Sequence, residues 1–155
     1  MATLACDIRQ ATLEDLSVTA VLFDLYRQYY GQRSDVPRAL VFLAERMANG
    51  ESVILLAVDP AAPRGGALGF AQLYPSFSSV ATRRVWILND LYVAPRARRR
   101  GVATQLLAAA REHAERTGAA WIELTTRHDN AGARRVYESA EYREDHDFVT
   151  YRWCR

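Results

Sequence analysis

Lysine is missing from this chain: all 20 basic residues are arginine. The absence excludes a lysine nucleophile or Schiff base, and any modification of the protein's own lysine side chains. Cysteine is scarce as well. Cys6 and Cys154, one near each end, form neither a zinc-ligand spacing nor a disulfide framework. His113, His128 and His146 are widely spaced in the sequence, with no ligand pattern and no partner cysteine, so no metal site is expected. The N-terminus lacks a basic stretch followed by an apolar core, and no apolar run reaches membrane-spanning length. A cytoplasmic protein with free thiols and no membrane partner is therefore expected. Charge of one sign is not in excess either: the net charge is +2, too little by itself to imply a polyanionic partner.

What is present suits a globular protein. The chain has 155 residues, half of them hydrophobic and a quarter charged, enough for one domain with a substantial core, taken as residues 1–155. Residues 5–11 read as a short strand. Thr12 reads as the N-cap of a helix that carries Leu16, Ala20 and Phe23 on one face to Tyr30. Pro37 suits the first turn of a second helix running to about Met47. Ser52 to Val58 reads as a buried strand, residues 59–66 as a hairpin loop, and Ala67 to Tyr74 as the returning strand. Pro75 to Ser79 reads as a second loop and Arg84 to Val93 as the next strand. The helix from Val102 to Thr117 buries Val102, Leu106, Ala110 and Ala114 and stops at Gly118. Trp121 to Thr125 reads as a central strand and Asn130 to Ala140 as a helix. Residues 142–144 and 148–153 read as a final antiparallel pair. The series predicts an α/β (α+β) domain with a mixed, mostly antiparallel sheet flanked by helices.

The most informative stretch is Leu88-Asn89-Asp90-Leu91-Tyr92-Val93-Ala94-Pro95-Arg96-Ala97-Arg98-Arg99-Arg100-Gly101-Val102-Ala103-Thr104. A strand leads through an arginine-rich turn, closed by glycine, into a helix. Gly101 permits a tight backbone path, and Val102 to Thr104 open the helix with amide hydrogens still unpaired. Those amides and the positive helix end form a socket for phosphate, and neighbouring arginines add charge-assisted hydrogen bonds. An isolated basic run is weak evidence for nucleic acid, and no aromatic residues interleave here for base stacking. A phosphate-bearing ligand accounts for the cluster, and no nucleic-acid partner is expected.

The pattern Arg98-x-x-Gly101-x-Ala103, after a strand ending Leu91-Tyr92-Val93, resembles the acetyl-CoA-binding motif of the GNAT acetyltransferases. Downstream, Asn130-x-x-Ala133-x-x-x-Tyr137, followed by a small residue and an aromatic, resembles that family's second cofactor segment. The resemblance implies the GNAT fold, acetyl-CoA as cofactor and coenzyme A as product. It implies cofactor contacts from Leu91, Tyr92 and Val93, whose strand splays from its neighbour. It extends them to Arg98, Arg99, Arg100, Gly101, Val102, Ala103 and Thr104, and to Asn130, Ala133 and Tyr137. Tyr137 is implied as the acid that protonates the departing thiolate, a role suited to a phenol protonated at neutral pH. The residue pattern alone also allows Tyr137 as core, on one face with Ala133, Val136 and Ala140, and Asn130 as a helix cap.

The base is open. Polyamine acetyltransferases of this family carry Leu-Glu-Asp where this chain has Leu88-Asn89-Asp90, and Asn89 is no base. Asp90 is the nearest carboxylate, although strand alternation puts neighbours on opposite faces. A water chain or a group from the N-terminal half is the alternative. Tyr74 and Phe77, with Asn89, are candidates for the acceptor site. The segment Gly69 to Ser79 resembles bacterial and yeast members linked to histone or polyamine acetylation. The expected function is an N-acetyltransferase passing acetyl to a polyamine, another small primary amine or a peptide amine by direct attack in a ternary complex, as a homodimer. The rival is a non-catalytic acyl-CoA sensor on the same fold.

Overall fold

The computed structural model describes residues 3–62 and 66–155. It contains two compact units, Met1–Thr125 and Thr126–Arg155. Within the first, β1 (Asp7–Gln10) leads through a 3₁₀ turn (Leu13–Asp15) into α1 (Leu16–Tyr29) and α2 (Val36–Ala48). Then come β2 (Val53–Val58), β3 (Ala67–Ser78) and β4 (Arg83–Val93), a 3₁₀ turn (Pro95–Ala97), α3 (Val102–Arg116) and β5 (Ile122–Glu123). The second unit carries α4 (Ala131–Ser139). The sheet runs β1-β2-β3-β4-β5; its first four strands are antiparallel and β5 lies parallel to β4. This is the mixed, mostly antiparallel α/β arrangement expected from the sequence.

Local chemistry sets the helix starts. Asp35 caps α2 by accepting the Arg38 N–H at 3.0 Å, with Pro37 in the first turn. Asn130 caps α4 by accepting the Ala133 N–H at 3.2 Å. On one face of the sheet, Ile54, Leu56, Val58, Phe70 and Tyr92 join Ala20, Leu22, Phe23, Ala39 and Leu43 of α1 and α2 in one buried cluster. Alternation turns Leu55, Ala57, Ala71 and Leu73 to the opposite face, the side covered by the buried stripe Val102, Leu106, Ala110 and Ala114 of α3.

Three expectations are corrected. Pro75 to Ser78 do not form a loop: β3 continues through them, paired to β4 from Pro75↔Trp86 to Ser78↔Arg83. The β2 partnership ends at Val53↔Leu73, so Pro75, which has no N–H, meets an unpaired edge where proline is tolerated. Trp121 to Thr125 is not a central strand. β5 is two residues at the sheet edge, paired through Trp86↔Ile122 and Ile87↔Glu123. Residues 142–144 and 148–153 form no antiparallel pair. Their alternation is bulky-polar, but Phe148, Val149, Tyr151 and Trp153 are all exposed, and alternation makes a strand only where a ladder and a covered face exist. Of the expected hairpin loop at 59–66, the Asp59 carboxylate accepts the Ala61 N–H, and residues 63–65 lie outside the described residues.

Candidate cofactor and acceptor site

The β4 strand is the centre of the candidate site. Its register with β3 passes from Leu73↔Leu88 to Gln72↔Asp90, so Asn89 is an extra residue in a β-bulge. A bulge breaks the alternation from which Asn89 and Asp90 were expected to face opposite ways. Instead the Asn89 side-chain amide donates to Asp90 Oδ1 at 3.0 Å. Past the bulge, β5 has ended, and the stretch from Asn89 to Val93 has no ladder partner on that side among the described residues. Leu91 to Val93, for which the resemblance implies a splay, lie in that unpaired stretch.

Asp90 is 3% exposed and sits in a polar cluster between β3, β4 and α1. Gln72 Nε2 donates to its Oδ2 at 2.5 Å and lies 3.2 Å from the Tyr74 hydroxyl, and the Tyr26 hydroxyl, which donates to Asn89 O at 3.4 Å, lies beside the same carboxylate. Burial pushes the Asp90 carboxyl above the usual range, against the lowering effect of the bonds from Gln72, Tyr26 and Asn89. Burial, then the Asp90 charge, pushes Tyr74 up to about 12, with Arg46 acting in the opposite direction, so Tyr74 stays a phenol at neutral pH. Gln72 and Tyr26 were not anticipated as site residues. A glutamine inside the apolar run Ala67 to Leu73 was the available signal, since a buried amide needs a partner.

Tyr74 and Phe77 are not brought together. Tyr74 belongs with Gln72 on the α1/α2 side, whereas Phe77 pairs with Arg84 on the face that α3 covers and is 71% exposed.

At the start of α3, Gly101 is the N-cap with φ +80°, a left-handed conformation that favours glycine. A Cβ there would also meet Thr3 Cγ2 at 3.0 Å. The first helical bond runs from the Gln105 N–H to Gly101 O, which leaves the N–H groups of Val102, Ala103 and Thr104 ahead of the ladder. No acidic residue occupies that first turn. This donor set fits a pyrophosphate. The arginines divide: Arg96 donates to Ala67 O at 2.7 Å, and Arg98 Nε to Val93 O at 2.9 Å while its guanidinium lies over the Tyr92 ring. Arg96 and Arg98 thus brace the turn. Arg99, at φ +58°, is exposed and Arg100 half-buried.

In the second unit, Ala133, Val136, Tyr137 and Ala140 are half-buried on one face of α4, and the Tyr137 ring lies 6.3 Å from that of Tyr142. Asn130 uses its carbonyl oxygen as the cap and its amide toward Thr126 Oγ1.

Comparison with known proteins agrees with this geometry. The acetyltransferase (GNAT) family matches residues 19–142. An uncharacterized N-acetyltransferase, YhfO of Bacillus subtilis (strain 168), is 47% identical over 145 residues, 94% of this chain and 95% of its own. A solved structure of a probable acetyltransferase is 47% identical with a TM-score of 0.90, covering 96% of this chain and 97% of that one. The fold alone is shared with a predicted acetyltransferase with acetyl-CoA from Clostridium acetobutylicum, at 16% identity and a TM-score of 0.74 over 96% of each chain.

Proposed function

Because this chain belongs to the GNAT acetyltransferase family and is an acetyl-CoA-dependent acetyltransferase, we propose that it acetylates a primary amine by direct attack in a ternary complex. The amine is a polyamine, another small amine or a peptide amine, and coenzyme A is the product. The observation that carries this reading is the β4 bulge, which sets a buried carboxylate beside a strand stretch left without a partner.

Bound acetyl-CoA supplies an activated thioester acetyl group. Gly101 and the free N–H groups of Val102 to Thr104 hold its pyrophosphate, with Arg99, Arg100 and Arg98 adding positive charge. The β4 edge at Leu91, Tyr92 and Val93, which β5 leaves without a ladder, takes the pantetheine arm, and a β4 amide faces the carbonyl oxygen as charge develops on it. Asp90, held by Gln72, Tyr26 and Asn89, accepts the proton that an ammonium must lose before it attacks. Tyr74 and Asn89 flank that carboxylate on the acceptor side. Tyr137 returns a proton to the departing thiolate, and Asn130 and Ala133 shape the same segment. Residues 1–155 act as one catalytic domain in this reading, supported by a family match that runs across Thr125. The enzyme works in the cytoplasm as a homodimer, and the exposed Phe148, Tyr151 and Trp153 support self-association.

An amine-acceptor screen read by thiol release tests the reading. Saturable turnover on at least one primary amine is expected. Acetyl-CoA binding without turnover over a broad panel identifies an acyl-CoA sensor instead.

A further inference from the structure

A run of aromatic rings leads from β4 to solvent at the C-terminal end of α1. Tyr92, in the stretch that β5 leaves without a ladder, meets Tyr26 of α1 edge-on at 6.4 Å between ring centres. Tyr26 meets Tyr30 edge-on at 5.0 Å, and Tyr30 meets Tyr29 at 5.2 Å. Exposure rises along the run: Tyr92 is buried, Tyr26 half-buried, Tyr30 45% exposed and Tyr29 60% exposed. Its inner end is at the candidate base, because the Tyr26 hydroxyl donates to Asn89 O beside Asp90. Core packing accounts for Tyr26, whose ring also lies 6.2 Å from Phe23 and 6.1 Å from Phe70. It does not account for Tyr29 and Tyr30, which present large ring surfaces to water.

The charges around these rings discriminate among amines. Between Phe23 and Arg38 the acids are Asp24 and Asp35, and the bases are Arg27, Arg33 and Arg38. Asp24 is buried and accepts from Gln28, Ser34 and the Asp35 N–H, and Asp35 caps α2. Arg46, near enough for its charge to act on Tyr74, pairs with both Glu45 and Glu51. The second ammonium of a polyamine would need a carboxylate, and the acids of these segments are all engaged. It would meet the exposed Arg33 and Arg38 as like charges instead. Aromatic rings suit a single ammonium better. Their faces attract the cation without offering a counter-ion that would hold its proton, and their edges pack on a flat apolar body.

Resting on the acetyl-transfer reading above, we propose that the acceptor is an arylalkyl monoamine, and that Tyr30 and Tyr29 determine this specificity. The aryl body lies on those two rings, and the amine reaches past Tyr26 to Asp90 and the thioester on β4. The polyamines and the smallest alkylamines are then poor acceptors, the first for want of a second carboxylate and the second for want of a body.

The test compares 2-phenylethylamine, ethylamine and spermidine as acceptors for the full chain with acetyl-CoA, read by thiol release. The kcat/KM for 2-phenylethylamine should exceed that for each of the others by at least about tenfold. Tyr29→Ala and Tyr30→Ala, both at exposed positions, should each lower the 2-phenylethylamine to ethylamine ratio by about fivefold or more, mainly through KM. Turnover of ethylamine should stay at its wild-type value, a result that loss of folding would not give. Spermidine turned over better than 2-phenylethylamine, or a ratio unchanged in both variants, would overturn this proposal and leave acetyl transfer standing. No turnover on any amine would overturn the acetyl-transfer reading, and this proposal with it.

Discussion

Three residues carry predictions at the scale of the single residue. Tyr137→Phe keeps the ring and removes the hydroxyl. If the phenol protonates the thiolate, turnover falls by roughly 10²-fold or more, while acetyl-CoA affinity and thermal stability change far less; a Phe variant with wild-type turnover would remove the acid from the mechanism. Asp90 is tested by pH. Its carboxyl is raised by burial, so as a base it becomes competent only above the ordinary carboxylate range, and kcat/KM should show an acid limb there that Asp90→Asn abolishes along with most of the rate. The same shift has a sign for stability: a raised folded pKa favours the protonated form, so stability declines as pH rises through it, and the Asn variant should flatten that decline in urea titrations. Gly101→Val puts a β-branched residue at φ +80° and against Thr3, a strain of about 1–2 kcal/mol. Relieving that strain shifts the Val102 to Thr104 amides that this reading assigns to the phosphates. The variant should stay folded by circular dichroism and lose the thermal stabilisation that acetyl-CoA gives the parent.

At the scale of elements, the bulge in β4 and the turn between α1 and α2 do the positioning. The bulge depends on one extra residue, and no periodicity in Leu88-Asn89-Asp90 announces it. The α1–α2 turn depends on Asp24, which is buried at 2% exposure. It accepts from the Asp35 N–H and Ser34 Oγ, both at 2.7 Å, from Gln28 Nε2 at 2.9 Å and from Arg27 Nη1 at 3.4 Å. Burial raises the carboxyl, but these bonds outweigh it and hold it below the ordinary value. Its contribution is therefore present above the ordinary carboxylate pKa and lost as pH falls through the depressed one. Asp24→Ala leaves those donors without their acceptor and should cost about 3 kcal/mol, read as a lower urea midpoint with the slope unchanged. The cost should shrink in acid.

For the whole molecule, the expected homodimer is checked by light scattering on the full chain, which should give twice the monomer mass; monomer alone at high concentration overturns it. Much of the architecture is legible in the chain because it is local. Helix faces spaced by three and four, caps such as Asp35 and Asn130, and the Arg98-to-Thr104 run need no distant partner to be recognised. Those features determined the α/β class, the order of elements, the family and the cofactor. Other features depend on what lies alongside. Pro75 to Ser78 became strand because β2 had ended and left an edge that tolerates proline. Tyr74 and Phe77 parted because one lengthened strand turned them to opposite faces. Asp90 acquired partners on α1 and β3 because the register slips by one residue at Asn89. Residues 148–153 alternate like a strand yet lie exposed, since a ladder is a relation between two segments and not a property of one. The sequence by itself determined what each segment can form and which chemistry the chain carries. Register and packing, set between segments far apart in the chain, decided which side chains share a site.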